Sequence, residues 1–204
     1  MISIVLATKN PGKLKEMKDI LEEWGYTVQS MAEAGVELDV LEDGDTYEEN
    51  ALKKASEVSR ALKRAGCRIL TLADDSGLEV NALSGEPGVY SSRFLGADTP
   101  HVIKNQKILD LLWDVPKENR TARFVCVVAA VFPDGRTLTA RAAVEGRIAH
   151  DVRGAEGFGF DPIFDLPEYD QTMAEIPALL KNKISHRAKA LQQLMEALPA
   201  GGLE

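Results

Sequence analysis

Two adjacent carboxylates, Asp74 and Asp75, stand at the end of an apolar run over residues 69–73, and Ser76 and Gly77 follow them. The apolar run predicts a strand, so we expect the acids to lie where this strand leaves a sheet. Strand ends are where α/β proteins place much of their chemistry. Neighbouring carboxylates repel each other unless a positive charge lies close by, and a magnesium ion that carries a phosphate is a common one. The alternative is a solvated turn whose short polar side chains bond to the backbone.

A polar turn joins a first predicted strand, residues 2–7, to an amphipathic helix that ends at Gly25. In a strand, turn and helix layout, backbone N–H groups and the helix dipole converge on an anion, to which a lysine adds a full charge. The spacing of a Walker A loop is absent. The alternative is an ordinary connection between a strand and a helix. The turn consists of Thr8, Lys9, Asn10, Pro11, Gly12 and Lys13.

A second acidic cluster occupies the turn over residues 41–45 and the start of the following helix. Thr46 and Glu49 form the pattern of a capping box, which predicts a helix from this point to about residue 65. We expect most of these acids to be solvated or to support the helix start. One of them could face Asp74 and Asp75 and complete a carboxylate set for a hard cation, and the sequence alone does not say which.

Residues 157–162 alternate glycine with phenylalanine and end in Asp161 and Pro162. Glycines allow a planar ligand to approach the backbone, a phenylalanine ring can stack on a base, and Asp161 can accept a hydrogen bond from a ring N–H. These features favour a pocket for a nucleotide base. The alternative is a β-bulge that packs Phe158 and Phe160 into the core.

The last predicted helix begins after Ser185, the expected N-cap, and ends at Pro199. This start places His186 and Arg187 in the first turn, where positive charge opposes the helix dipole. Cations at this helix end suggest a ligand that compensates them. Lys181 lies shortly before, in the same basic stretch.

The remaining pattern predicts a mainly α/β chain. Short strands are expected over residues 26–30 and 36–40, and a long β-hairpin over residues 120–148. Thr99 and Pro100 predict the start of another helix. We expect four apolar side chains of this helix to face inward: Val102, Ile103, Leu109 and Leu112.

The chain has 204 residues, of which 45% are apolar and 27% charged. We therefore expect one globular domain over residues 1–204, built either as a single body or as two lobes. Its net charge of −8 argues against a partner that is polymeric nucleic acid. The cysteines, Cys67 and Cys126, lack metal-ligand spacing and fit a reducing compartment. The longest apolar run, residues 125–132, is too short to cross a membrane, so we expect a cytoplasmic protein.

Taken together, the motifs resemble the inosine triphosphate pyrophosphatase family, whose members hydrolyse non-canonical purine nucleoside triphosphates. The similar segments follow the family's order along nearly the whole chain: residues 6–13, 46–51, 73–78, 87–93, 157–162 and 185–187. The resemblance implies an α/β fold, a single bilobed domain with a long central mixed β-sheet flanked by helices and an active-site cleft between the lobes. It also implies a homodimer.

The resemblance further implies roles for individual residues. Asp75 matches the catalytic, metal-associated carboxylate, and Glu42 matches a second ligand of Mg²⁺, although the turn around Glu42 departs from the Glu-Glu-Thr-Gly form associated with bacterial members. The turn from Thr8 to Lys13 matches the triphosphate loop, with Ser76 beside it. The residues that match the base pocket are Phe158, Gly159, Phe160, Asp161, Lys181, His186 and Arg187.

By this resemblance we expect Mg²⁺-dependent hydrolysis of ITP, dITP and XTP to the nucleoside monophosphate and pyrophosphate. Asp75 would orient or deprotonate the attacking water. Two other classes stay open: a phosphatase acting on other nucleotides or sugar phosphates, which would need the acids but no base pocket, and a non-catalytic nucleotide sensor, which would need the loops but no acids. The sequence contains both sets of features.

Overall fold

The computed structural model describes residues 2–198, and within them the chain alternates strands and helices. The strands are β1 Ser3–Leu6, β2 Thr27–Ser30, β3 Leu70–Val80, β4 Thr121–Val131, β5 Thr137–Ile148, β6 Phe164–Leu166 and β7 Gln171–Thr172. The α-helices are α1 Pro11–Glu23, α2 Tyr47–Arg64, α3 His101–Leu111, α4 Ala178–Ile184 and α5 His186–Glu196. Short 3₁₀ helices cover Asn81–Leu83, Gly88–Arg93, Lys117–Asn119 and Asp161–Ile163.

The seven strands form one mixed sheet in the order β2-β1-β3-β4-β5-β6-β7. β1 pairs in parallel with β2 and with β3, and α1 and α2 lie in the connections that parallel pairing requires. β5, β6 and β7 pair antiparallel. The predicted mixed α/β fold with a central sheet flanked by helices is therefore confirmed. A single domain over residues 1–204 stays a prediction.

The chain divides into two compact units. The first comprises the described parts of Met1–Asp75, Cys126–Ala142 and Arg187–Glu204, and its apolar core includes Ile4, Met17, Leu72, Val128 and Leu191. The second comprises Ser76–Val125 and Ala143–His186, and its core includes Leu78, Ile108, Phe124, Ile163 and Phe164. Each unit buries apolar side chains of its own, which is the main driving force for folding.

Local signals explain where the first two helices begin and end. Asn10 caps α1 by accepting a hydrogen bond from Lys13 N at 3.0 Å, and Pro11 occupies the first helical position. Thr46 and Glu49 cap α2 reciprocally, so the predicted capping box is confirmed. Gly25, which follows α1, has a φ of +88°, a conformation that a glycine adopts without steric cost.

Two predictions about secondary structure are wrong, and a third falls on residues that the structure does not describe. β3 continues through Asp74 and Asp75, so the acids lie inside a strand and neither at its end nor in a turn. Residues 36–40 form no strand, because alternation of apolar and polar residues does not by itself supply a neighbouring strand. The expected end of the last helix at Pro199 lies outside the described residues.

Helix α3 also differs from its predicted orientation. It begins at His101 after Pro100, and the expected inward side chains of Val102 and Ile103 are 70% and 53% exposed. The face that is buried carries Lys104 and Asn105 together with apolar residues, so the apolar pattern alone was misleading. Among residues 2–198, no helix is long and apolar enough to cross a membrane.

Candidate active site

Asp74 lies in β3 with a fully buried side chain, and basic groups surround its Oδ2 atom. Lys13 Nζ lies 3.0 Å away, and the Arg187 Nε and NH2 groups each donate at 3.2 Å. Burial alone would raise the pKa of Asp74, but Lys13 and Arg187 hold this pKa well below its ordinary range. Asp74 is therefore a permanently ionised anchor for two cations.

Glu16 completes this buried cluster, and sequence reasoning missed it. It lies on α1 one turn after Lys13, and its Oε2 accepts a hydrogen bond from Arg187 NH1 at 2.8 Å. Burial would lower the pKa of Arg187, but Glu16 and Asp74 raise it further above its ordinary value. Two acids and two bases thus balance in a place where an uncompensated charge would be costly. The spacing of Lys13 and Glu16 on one helix face was the signal available in the sequence.

Asp75 is the next residue of β3 but belongs to a different group of side chains. Its Oδ2 accepts a hydrogen bond from Asn50 Nδ2 at 3.1 Å, and its Oδ1 lies 3.9 Å from Lys54 Nζ. The same ammonium group lies 3.1 Å from Glu42 Oε1. Burial raises the pKa of Asp75 to about 6, with Lys54 opposing the shift and Glu42 adding to it. A carboxylate with a pKa near neutrality is suited to exchange a proton with water.

Helix α2 positions the two partners of Asp75. Asn50 and Lys54 stand one turn apart, so their side chains lie on the same face of the helix. Asn50 also accepts from Gly44 N at 2.9 Å, which ties the acidic turn that carries Glu42 to the start of α2. A Cβ atom at Gly44 would lie 2.8 Å from Glu49 Cβ, so this approach requires glycine. Sequence reasoning missed both Asn50 and Lys54.

The pair Glu42 and Asp75 fits a magnesium ion that arrives with a phosphate ligand. The two carboxylates already face one shared cation, the ammonium of Lys54. Within residues 2–198 no group of three or more His, Cys, Asp or Glu side chains could hold a metal ion. Mg²⁺ commonly binds through one or two carboxylates, and water and substrate phosphates complete its shell. Glu42 and Asp75 supply a donor set of this size.

The predicted phosphate loop is ordered by its own side chains. Thr8 Oγ1 accepts from Asn10 N at 3.2 Å, and Asn10 in turn caps α1. Lys9 forms an exposed ion pair with Asp39 at 3.0 Å. Lys13 lies in the first helical turn with its side chain 15% exposed, next to Asp74. Pro11 and Gly12 form the start of α1, and Ser76 follows Asp75 within β3.

In the second unit, the loop over residues 157–161 is organised around Asp161. Its Oδ2 accepts hydrogen bonds from Phe158 N at 2.8 Å and from Lys181 Nζ at 2.5 Å, and the carboxylate and ammonium are both buried. Lys181 Nζ also lies 4.8 Å from the centre of the Phe158 ring. Gly157 has a φ of +73°, and a Cβ atom there would overlap Asp161 Oδ2. The glycine is therefore necessary for the ion pair.

The other predicted base-pocket residues have separate surroundings. Phe160 is buried and its ring meets His101 edge-on at 5.4 Å, so the alternative of a core residue describes this ring, whereas Phe158 is only half-buried. The His186 ring stacks on Phe124 with centroids 4.8 Å apart. Arg187 belongs to the first unit, where Glu16 and Asp74 compensate its charge; the protein itself thus supplies the compensation that we expected from a ligand. Contact of these residues with a base stays a prediction.

The sequence matches the model of the Ham1 family over residues 4–197. A protein of Desulforamulus reducens named dITP/XTP pyrophosphatase is 48% identical over 197 residues, which cover 97% of this chain and 96% of that protein. A protein of Bacillus subtilis with the same name is 46% identical over 200 residues, which cover 98% of both chains.

Solved structures show the same similarity. The Ham1 protein of Staphylococcus aureus superposes with a TM-score of 0.80 at 40% identity, over 95% of this chain and 96% of that one. A HAM1 protein from Coxiella burnetii superposes with a TM-score of 0.82 at 40% identity, over 97% and 98% of the two chains. The fold is therefore shared with these proteins over nearly the whole chain.

Proposed function

The chain belongs to the Ham1 family, and we propose that it hydrolyses non-canonical purine nucleoside triphosphates, namely ITP, dITP and XTP. Water would add across the anhydride bond between the α and β phosphates, and the products would be the nucleoside monophosphate and pyrophosphate. The names of the relatives support this substrate class. The observation that carries the proposal is the buried Asp75, whose carboxylate faces Asn50 and the cation shared with Glu42.

In this proposal Asp75 is the catalytic base. Without bound metal its pKa is about 6, so the carboxylate is mostly ionised at neutral pH and can accept a proton from water. Asn50 donates to one carboxylate oxygen and thereby orients the other. Glu42 and Asp75 would hold Mg²⁺, which when bound supplies positive charge to the phosphate oxygens.

Lys13 is the proposed ligand of the triphosphate within the first unit. Its ammonium carries three N–H donors, and Asp74 Oδ2 lies 3.0 Å from Lys13 Nζ on one side of the group. Burial lowers the pKa of Lys13, but Asp74 and Asp75 together raise it above its ordinary value, so the side chain keeps its charge. The Thr8 hydroxyl and the Gly12 N–H lie in the same turn and would add neutral donors to the phosphates.

The loop over residues 157–161 and Lys181 are the proposed base-recognition elements of the second unit. Lys181 carries only donors, which suit the 6-keto oxygen of hypoxanthine or xanthine and leave the 6-amino group of adenine without a partner. The half-buried Phe158 ring offers a face for stacking. His186, Gly159, Phe160 and Asp161 would shape this pocket.

The proposed assembly and location follow the family resemblance. We propose a homodimer that acts in the cytoplasm on the free nucleotide pool. The net charge of −8 supports a small substrate in preference to polymeric nucleic acid, because a nucleic-acid surface needs an excess of basic groups.

A panel of nucleoside triphosphates, with pyrophosphate and phosphate assayed separately, tests the proposal. We expect pyrophosphate and monophosphate from ITP, dITP and XTP when Mg²⁺ is present, and little product in excess chelator. Accumulation of the diphosphate with free phosphate would indicate a phosphatase. Tight binding of ITP without turnover would indicate a nucleotide sensor, and either outcome would overturn the proposal.

A further inference from the structure

Helix α3 presents a buried amide, Asn105, to the loop over residues 157–161. Asn105 is 4% exposed, and its Nδ2 donates a hydrogen bond to Gly159 O at 3.1 Å. In the opposite amide orientation Oδ1 would face the carbonyl oxygen and repel it, so this contact determines which way the amide points. The bond joins residues 54 positions apart in the chain and fixes a loop that has little secondary structure of its own.

Of the two polar atoms of the Asn105 amide, the nitrogen has a hydrogen-bond partner in the described part of the chain and the oxygen has none. Its Oδ1 atom is buried and has no hydrogen-bond partner within residues 2–198. A buried acceptor without a partner costs stability, and an apolar side chain of similar size would fill the space without this cost. The bond to Gly159 O is therefore what distinguishes Asn105 from an apolar side chain at this place.

The same helix contacts the loop at a second point. His101 stands one turn before Asn105, and its ring meets the buried Phe160 ring edge-on at 5.4 Å. Its Cε1 atom lies 3.8 Å from the place that a Cβ atom on Gly159 would occupy. Thus α3 lies directly against Gly159 and Phe160, the two residues that follow Phe158.

Phe158 lies between two fixed backbone groups. Its own N–H donates to Asp161 Oδ2 at 2.8 Å, and the carbonyl of the next residue, Gly159, accepts from Asn105. Gly159 has a φ of +70° and, as a glycine, few steric limits on its backbone dihedral angles. The hydrogen bond from Asn105 therefore restricts the backbone conformation at this position. The direction of the half-buried Phe158 ring depends on both bonds.

We propose that Asn105 is a positioning residue that sets the purine selectivity of the enzyme through Gly159 and the Phe158 ring. It touches neither the reacting atoms nor the base. The inference rests on the proposed function, because contact between Phe158 and the base is part of that proposal.

The test compares Asn105→Ala with Gln106→Ala, which removes an amide from the next residue on the exposed face of the same helix. For Asn105→Ala we expect the KM for ITP to rise roughly fivefold to tenfold, the effect of one lost hydrogen bond, with kcat changed less than about threefold. The ratio of kcat/KM for ITP over ATP should fall by a similar factor. Gln106→Ala should match the wild type in all three quantities.

Equal losses of kcat/KM for ITP and ATP, or no change in their ratio, would show a structural role only and overturn the inference. If Asn105→Ala does not fold, Asn105→Leu fills the space of the amide without its hydrogen bond to Gly159 O, and an unchanged ratio of kcat/KM there has the same meaning.

Hydrogen–deuterium exchange of residues 157–161 without nucleotide separates this inference from the proposed function. Faster exchange in Asn105→Ala than in Gln106→Ala supports the positioning role even if the wild type releases no pyrophosphate from ITP, an outcome that would refute the proposed function alone. Unchanged exchange would overturn the positioning role.

Discussion

Asp74 and Asp75 are consecutive residues of β3, yet their carboxylates contact different cations. Asp74 Oδ2 lies 3.0 Å from Lys13 Nζ, whereas Asp75 Oδ1 lies 3.9 Å from Lys54 Nζ. Successive side chains of a strand point to opposite faces, so a pair that is adjacent in sequence is separated in space. The pKa of Asp74 is depressed and that of Asp75 is raised to about 6, so the two acids can have different tasks.

Replacing Asp75 by Asn should abolish most of the activity and leave the fold intact. The amide preserves the shape of the side chain but cannot accept a proton from water, so kcat for ITP should fall by at least about a hundredfold. Steady-state kinetics with a pyrophosphate assay measure this. Asp98→Asn makes the same change at an exposed loop position and should behave as the wild type. Near-normal turnover by Asp75→Asn would remove the base role from this residue.

Replacing Asp74 by Asn should mainly destabilise the protein. The change leaves Lys13 and Arg187 with Glu16 as the one remaining acid of the buried cluster, and the loss of one partner from a buried ion pair costs about 3 to 5 kcal/mol. The free energy of unfolding in urea measures the loss. The exposed Asp98→Asn variant should lose less than about 0.5 kcal/mol. A fully stable Asp74→Asn protein without turnover would instead assign catalysis to Asp74.

The stability of the metal-free protein should depend on pH through Asp75. Its pKa is about 6 in the folded protein against an ordinary value of 3.8, so the folded state binds a proton that the unfolded state has released. Stability from this group therefore falls as pH rises from about 4 to about 7, by at most roughly 3 kcal/mol. Asp74 has a depressed pKa and contributes stability that is lost only as pH falls below its ordinary value of 3.8.

Denaturation in a chelator between pH 5 and pH 7 isolates the effect of Asp75. The Asp75→Asn variant lacks this titration, so it should become progressively more stable relative to the wild type as pH rises. Groups that titrate equally in both proteins cancel in this difference. A difference in free energy that stays constant with pH would contradict a raised pKa at Asp75.

The sequence predicted those features that depend on local contacts. The capping box of Thr46 and Glu49 and the hairpin of β4 and β5 each rely on residues close together in the chain, and the structure contains both. The resemblance to a known family identified the acids and loops as one set. Membership of the Ham1 family and the shared fold confirm that resemblance.

Features that depend on distant partners could not be predicted. β3 passes through two acids because Lys13 and Arg187 neutralise Asp74, and Arg187 lies 113 residues away in the chain. An acidic pair whose partners are unknown predicts the end of a strand, because an isolated charge is too costly to bury inside a sheet. Similarly, α3 buries Lys104, whose Nζ donates to Ser92 O at 2.6 Å, and nothing in the local pattern indicates that acceptor.

Replacing Gly157 by Ala should disrupt the ion pair of Asp161 and Lys181. The new methyl group would overlap the Asp161 carboxylate and lie 3.1 Å from Lys181 Nζ. We expect the KM for ITP to rise at least about tenfold, because a displaced lysine loses its defined position. Gly25→Ala is the matched control, since Gly25 also has a positive φ but has no atom within 4 Å of the new Cβ. If both variants lose equal stability and neither changes the KM for ITP, Gly157→Ala acts only through backbone strain. The position of Lys181 would then not contribute to binding.

Replacing Lys54 by Met should make the protein more dependent on a divalent cation. The methionine fills the space of the lysine but leaves Glu42 and Asp75 without their shared positive charge, so the two carboxylates repel each other at pH 8. In a chelator we expect a loss of roughly 1 to 3 kcal/mol in the free energy of unfolding. Added Mg²⁺ should restore more stability to this variant than to the wild type, since it replaces the missing cation.

Lys53→Met provides the control for this prediction. Lys53 is the neighbouring residue on α2 and pairs with Asp43 of the same acidic turn at 2.5 Å, but both side chains are substantially exposed. Such a pair contributes at most about 1 kcal/mol, so the variant should resemble the wild type with and without Mg²⁺. Thermal unfolding of the three proteins in chelator and in Mg²⁺ gives the comparison. If Mg²⁺ raises the Tm of all three equally, Glu42 and Asp75 do not bind the ion, and its ligands lie elsewhere in the chain.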